Sequence, residues 1–358
     1  MKLLDRYIIR KFLGTYFLTI ALIIFIAIIF DASEKMDDFI EKNAPLRAIL
    51  FDYYLNFIPF FVNLFSPLFI FIAVIYFTSR MASDTEIVAM LNSGMSFKRL
   101  MLPYFITAAF LAVITLWLNV SLIPHANKRR LDFEYAYIRN PFVFKERNIH
   151  RQISPGTLIY MDSYNNRENI GFRFSLEKIK DGKRIFFLNS DRIRWDSVPH
   201  KWVIENYFIR KVNGMNEEIQ KGLRLDTALN FQPKDFRQRI SAIDAMDNRV
   251  LSEYIDELKQ QGNSNYLPYQ VEKYRRFAFP FATFILTLIG VSLASRKVRG
   301  GIGLHLGAGI ALSFTYILFI QVSATFATNG DLPPLLAVWI PNIIFSGVAV
   351  ALFRYAPK

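Results

Sequence analysis

Two hydrophobic patterns divide this chain. Toward both ends, apolar residues run on with no polar period. In the middle they alternate with polar ones. An apolar run of about 18 or more residues is long enough to cross a bilayer core as a helix. Six runs qualify and predict six spans: about 12–30 (FLGTYFLTIALIIFIAIIF), 50–78, 100–123, 277–295 (FAFPFATFILTLIGVSLAS), 302–326 and 334–353. Pro59 and Pro67 fall inside the second run. They are read as kinks, because neighbouring helices satisfy the backbone groups that proline frees. The first run is too long for a signal-peptide core and lacks a small-residue cleavage site, so it is expected to stay as a span.

The middle reads differently. TLIYMDSY (157–164), IGFRFSLEKI (170–179), RIFFLNSDRIRW (184–195) and KWVIENYFIRKV (201–212) are rich in β-branched and aromatic residues. Turn signals, DG at 181–182 and NG at 213–214, punctuate them. They predict a small antiparallel sandwich or curved sheet. A helix follows at about 250–261 (VLSEYIDELKQQ), stopped by Gly262. The expected layout is spans one to three in 1–124, a β domain in 125–249, a connecting helix and linker in 250–271, and spans four to six in 272–358.

Composition sharpens this picture. The chain is 53% hydrophobic, yet its mean hydropathy is only +0.23, because the average mixes apolar ends with a polar middle. Cysteine is absent, which excludes disulfides, thiolate metal sites and cysteine nucleophiles. The net charge of +13 orients the spans rather than marking a nucleic-acid binder. With the N-terminus inside, the inside segments carry Lys2, Arg6, Arg10, Lys11, Arg80, Lys98, Arg99, Arg296, Lys297, Arg299, Arg354 and Lys358. The short outside loops carry Lys35, Lys42 and Arg47. Twelve against three puts both termini in the cytoplasm and the β domain outside.

Catalytic chemistry is scarce. His125, His150, His200 and His305 show no metal-ligand spacing, and no H-E-x-x-H or phosphate-binding loop occurs. No cofactor or metal is expected, and the chain is not read as an enzyme. RGGIGLHLGAG (299–309) is read as close helix packing through Gly303 and Gly307, with Gly300 and Ala308 on the same pattern. Asp31 and Asp52 lie near outer span ends, and Lys35 has acidic neighbours with which it should pair. Two basic clusters flank the middle region: Lys128, Arg129 and Arg130, then Lys273, Arg275 and Arg276. They suit phospholipid headgroups or local salt bridges. Equally, they suit an anionic lipid substrate, because arginine forks bind phosphate.

SDTEIVAMLNSG (83–94) is a polar stretch between two apolar runs. Ser83 and Glu86 have capping-box spacing, Asp84 adds negative charge at the helix start, and Gly94 is placed to end it. Ile87, Met90 and Leu91, with Val88 and Met95 nearby, form an apolar side. Such a helix either rests on lipid or serves as a knob that a cytoplasmic partner grips. Glu86 suits a basic socket on that partner.

Several segments together resemble the LptF/LptG type of lipopolysaccharide-export permease. They are LLDRYIIRKFLGTY, TEIVAMLNSGMSFKRLMLP with Glu86, Ala89, Gly94 and Ser96 at family positions, YQVEKYRRFAFPFATFILTLIG, SRKVRGGIGLHLGAGIALSFTY and WIPNIIF. The resemblance covers roughly 1–125 and 250–355 and leans toward the LptG side. It implies an α-helical polytopic membrane protein with six transmembrane helices and a periplasmic, jellyroll-like all-β domain between helices three and four. It implies a Gram-negative inner membrane, a second LptF-like permease, an LptB-like cytoplasmic ABC ATPase dimer, LptC/LptA-like bridge proteins, and lipopolysaccharide as cargo. The ATPase would dock on a coupling helix at about 84–93, through Glu86, Ile87, Ala89, Met90, Leu91 and Gly94. Candidate anionic-lipid contacts are Lys128, Arg129, Arg130, Arg275 and Arg276. Family members can carry a substrate-contacting lysine in the first span. IAIIF offers none here, so that role is not carried over to Lys35. The alternatives are a permease for another lipid or lipoprotein, a membrane anchor for an outside binding domain, and a membrane-embedded enzyme.

Overall fold

The computed structural model describes residues 3–138, 147–180, 182–198, 200–214, 216–233, 240–260, 266–296 and 301–356. The charges of Lys2, Lys297, Arg299 and Lys358, the turn residue Asp181, the helix stop at Gly262, and Gly300 lie outside these. The chain forms two compact units, one of 1–138, 244–248 and 267–358, the other of 139–243 and 249–266.

The first unit is helical. Helix α1 is Leu3–Glu41. Helix α2 is Leu46–Ser83 and contains a π-helical stretch at Ile49–Tyr54. A short helix α3, Glu86–Asn92, leads to α4, Phe97–Tyr137. Helix α5, Asn248–Gln260, mostly belongs to the second unit. Then come α6 (Leu267–Ala278), α7 (Phe281–Ala294), α8 (Gly301–Thr328) and α9 (Pro334–Arg354). Among the described residues five helices are long and apolar enough to cross a membrane, and up to six spans result if the bent pair α6–α7 counts as one.

Pro59 and Pro67 leave α2 unbroken. Pro280, between α6 and α7, marks a 52° bend. Proline cannot donate the amide that a continuous helix needs there. The third span also overshoots its expected end near 123. Its helix runs on to Tyr137 through a π-helical stretch at Leu118–Leu122, and the first strand among the described residues is Arg147–Ser154.

Along α1 the buried residues recur every four: Ile8, Phe12, Tyr16, Ile20 and Ile24. That is one ridge of a helix face. Phe17, Leu18, Leu22 and Phe25 on the other faces are exposed. A helix apolar all round but buried along one stripe is built for lipid or for a neighbouring chain. The α1 ridge packs with Ile70, Val74, Phe77 and Met81 of α2 and with Leu100, Met101 and Tyr104 of α4. Helix α2 also packs against α7 and α8.

Polar pairs tie the spans together. Asn63 and Asn119 exchange two amide hydrogen bonds, 2.9 and 3.1 Å. Tyr16 and Ser66 share one of 2.9 Å. Tyr316 donates to Asn342 at 2.7 Å. In a hydrocarbon setting such bonds act as interhelical glue.

The second unit is a six-stranded antiparallel sheet, β1 (Arg147–Ser154), β2 (Thr157–Asn165), β3 (Ile170–Lys180), β4 (Lys183–Asp196), β5 (Lys201–Asn213) and β6 (Asn216–Thr227). Each strand pairs with its sequence neighbour. This refines the jellyroll-like expectation to a meander among the described residues. Its core gathers Ile159, Met161, Phe174, Leu188, Trp202 and Ile204 under Phe231. The Trp202 indole donates to the Phe231 carbonyl at 2.9 Å. Gly214 turns the β5–β6 hairpin at φ +65°. In α5, Leu251, Ile255 and Leu258 are buried, the one-faced spacing expected of an amphipathic helix.

Candidate functional site

The stretch between α2 and α4 forms the predicted short helix, with a different start. Ser83 is the last residue of α2, and α3 begins at Glu86. Glu86 is thus the first residue of the helix and not its third, so the Ser83–Glu86 spacing does not set its start. Thr85 stands at the N-cap instead, with φ 61° and no side-chain cap bond. A β-branched residue in the left-handed region is strained, and such outliers cluster at functional breaks. The Thr85 hydroxyl turns back to the Asp84 carbonyl at 2.7 Å, and Asp84 lies 3.9 Å from Arg80. At the other end Gly94, φ +86°, donates its amide to Leu91 at 3.1 Å. Only glycine takes that conformation without cost, so Gly94 ends α3 as the sequence suggests. Ser96 then caps α4, accepting from the Arg99 amide at 3.3 Å.

The apolar side of α3 faces protein rather than lipid. Ile87 is 1% exposed and joins the core of Ile8, Phe12, Met81, Leu100 and Met101. Met90, Leu91 and Met95 pack against that core from its edge. This corrects the picture of a helix resting on lipid. The exposed face consists of Val88, Ala89 and Asn92, followed by Ser93 and Gly94.

Glu86 is engaged within the chain. The Tyr7 hydroxyl donates to both its carboxylate oxygens, at 3.0 and 2.9 Å. The Lys11 ammonium lies 3.6 Å away, 4.4 Å from the Tyr7 ring centre. Nearby, Arg99 of α4 grips Asp5 of α1 through two contacts of 2.8 Å. The start of α1 is thus tied to α3 and to the start of α4. Sequence reading missed Asp5, Tyr7 and Lys11. Tyr7 and Lys11 share a helical face at i, i+4, but nothing local shows that they meet Glu86, 79 positions from Tyr7.

The basic clusters separate into free and committed members. Lys128 and Arg129 are exposed. Arg130 lies 3.6 Å from Glu134 and 4.8 Å from the Phe60 ring centre. Arg275 binds Glu272 at 2.6 Å. Arg276 has a 2% exposed side chain and donates to Glu272 (3.2 Å), the Met246 carbonyl (2.8 Å) and Asn248 (2.8 Å). Burial of Arg276 removes it from the candidate lipid contacts; it clamps α6 to the segment before α5. Lys35 pairs with Asp31 and Tyr53, as its acidic surroundings suggested.

The glycines also sort differently. A methyl placed on Gly303 or Gly307 would meet nothing within 4 Å, so neither packs against another helix among the described residues. Within the helical unit the tight ones are Gly309, where a methyl would collide with Ile75, and Gly290, where it would stand 2.9 Å from Val74. Both bring a helix close to α2. Among the described residues no three His, Cys, Asp or Glu side chains come close enough to hold a metal ion.

One family model, described as lipopolysaccharide export system permease LptF/LptG, matches residues 6–355. No curated protein matches the chain.

Proposed function

The chain belongs to the LptF/LptG family of lipopolysaccharide export permeases, and from that premise we propose that α3 is the element through which a separate cytoplasmic ATPase drives it. The family is one of inner-membrane transporter components. Within it, we assign this chain as one of two paired permeases, with both termini and α3 in the cytoplasm and the β unit in the periplasm. An ATPase dimer of the LptB kind works on α3. Lipopolysaccharide leaves the inner membrane and passes from the β unit to bridge proteins of the LptC and LptA kind.

The burial of Ile87 among α1, α2 and α4 carries the reading. A helix in a loose loop absorbs a push. A helix anchored in a close-packed core transmits it, because packed interiors shift between discrete arrangements rather than deform. The docking face is then Val88, Ala89 and Asn92, ending at Gly94. Ile87, Met90 and Leu91 are the transmission side. Glu86 acts through Tyr7 and Lys11 of α1, so the push reaches the first span directly. Lys128 and Arg129 are the remaining candidates for anionic-lipid contact.

The test is a mild-detergent pull-down from native membranes with wild-type protein and the variants Ala89→Arg and Ile87→Ala. Wild type should bring down a soluble ATPase and a second six-span permease. Ala89→Arg should lose the ATPase alone. Ile87→Ala should keep it yet fail to couple ATP hydrolysis to lipopolysaccharide release. Absence of both proteins beside the wild-type chain, in conditions that preserve other membrane complexes, would sink the proposal.

A further inference from the structure

Where α4 begins and α9 ends, the helical unit carries a cleft of about 630 Å³. Its walls are apolar: Phe97, Val350 and Phe353, with Ala356 beside them. The Phe97 and Phe353 rings meet at a 38° tilt, 5.7 Å between ring centres. Lys98 and Arg354 also line it. Both are exposed, and neither makes an ion pair among the described residues. Other cations near these helix starts are committed: Arg99 to Asp5, Lys11 to Glu86 and Arg80 to Asp84.

We propose that this cleft binds an acidic phospholipid, its phosphate between Lys98 and Arg354 and an acyl chain against Phe97, Val350 and Phe353. The occupant follows from the chemistry of the walls. Two cations over an apolar slot complement an amphiphile with an anionic head. The position fits as well. Phe97 opens one span and Arg354 closes another, so both cations lie where a bilayer's headgroups lie. A protein partner in the cleft would have to bury two unpaired cations or bring its own carboxylates. A lipid in the same leaflet brings its phosphate already at that depth. Anionic headgroups attract such cations, each contributing a several-fold gain in binding. Because α4 starts only four residues after α3, an occupant would brace the base of the coupling helix. The site itself requires only that these helices span a membrane, so it stands or falls apart from the ATPase reading.

The experiment is native mass spectrometry of the full chain in its detergent-extracted complex, titrated with phosphatidylglycerol or phosphatidylcholine. Wild type should retain phosphatidylglycerol in preference to phosphatidylcholine. The double variant Lys98→Gln/Arg354→Gln should bind phosphatidylglycerol about thirtyfold more weakly, with little change for phosphatidylcholine. Lys98→Arg/Arg354→Lys should keep the preference. Val350→Trp, which fills the slot and leaves both charges, should also lose the lipid. Equal retention of both lipids by wild type would overturn the proposal. So would undiminished phosphatidylglycerol binding by the double variant or by Val350→Trp. Loss of the lipid whenever the ATPase is bound would assign the cleft to that protein instead.

Discussion

The two units place polar side chains by opposite rules. The β unit spreads charge freely over its surface. Arg192 pairs with Glu205 directly across β4 and β5, Lys211 with Glu218 across β5 and β6, and Arg224 with Asp226 along β6. Each is at least partly open to solvent and worth little. The helical unit shows apolar residues outward, Leu18 and Phe30 at 70% and 72% exposure, and pairs the charges that it buries. Arg276 and Asp5 are nearly covered, and each is matched by its opposite charge. A charge on the sheet surface is therefore mostly solvation. A buried charge in the helical unit is a statement about geometry.

The largest effect expected from this contrast lies in one basic cluster set against the other. Arg276→Ala strips a buried partner from Glu272 and leaves the Met246 carbonyl and Asn248 short of a donor. It should cost about 3–5 kcal/mol, the range for breaking a buried pair. Lys128→Ala, at an exposed position, should change stability by no more than about 0.5 kcal/mol. Thermal unfolding of the two variants in one detergent checks the difference. Equal stability would mean that Arg276 is not the clamp described.

In the β unit the corresponding large term is apolar. Trp202 is fully buried, 5.1 Å from Trp195 and 4.7 Å from Phe231 between ring centres. Trp202→Ala should cost about 3–5 kcal/mol. Because the core of the sheet is separate from the helical core, hydrogen exchange should rise in β3–β5 while amides of α2 and α7 stay protected. A rise in both units would show that they unfold together.

These cases explain what was legible in the sequence. The spans were plain because nothing else requires such long apolar runs. β2 to β5 were plain because a half-buried strand must alternate. β1 (RNIHRQIS) and β6 (NEEIQKGLRLDT) were not. They are the edges of the sheet, where charge protects against unwanted pairing and erases the alternation. Gly222 in β6 looks like a strand breaker. It is small because the Tyr207 ring lies over it, 2.6 Å from where a methyl would sit. In α3 the end was legible through Gly94. The start was not, because S-x-x-E spacing fits a capping box whether or not α2 has already consumed Ser83. The clasp of Glu86 by Tyr7 joins residues far apart in the chain, and no local pattern encodes it.

The glycines permit a finer comparison. Gly309→Val pushes against Ile75, which is fully buried, and overpacking of this kind should cost about 1–3 kcal/mol. Gly303→Ala and Gly307→Ala meet no atom of the described residues and should be neutral, or stabilising by up to about 1 kcal/mol through helix propensity. Chemical denaturation of each variant reads these values. If the Gly303 and Gly307 variants fold normally yet lose the second permease in a pull-down, their open faces belong to the interface between the two permeases.

The smallest effect tests the claim that surface charge on the sheet matters little. The hydrogen-bonded Arg210 fork holds Glu217 below the usual carboxylate range, and Arg224 does the same to Asp226. A carboxylate whose pKa is lowered in the folded state adds stability above its unfolded pKa. That contribution disappears as pH falls through the folded value. The unfolded values lie near about 4, so the β5–β6 pairing should be undisturbed at neutral pH and should loosen only in acid below about pH 4. Amide exchange across Lys211–Glu218, followed against the β2–β3 pairing as an internal control, reads this directly. Glu217→Gln should flatten the dependence near the hairpin turn, where Val212 pairs with Glu217 and Asn213 with Asn216. It should leave Asp226, at the far end of the strand, to respond alone. If acid loosens β5–β6 no more than β2–β3, the two forks contribute nothing. The sheet surface would then be solvation throughout, and the contrast with the helical unit sharper than drawn.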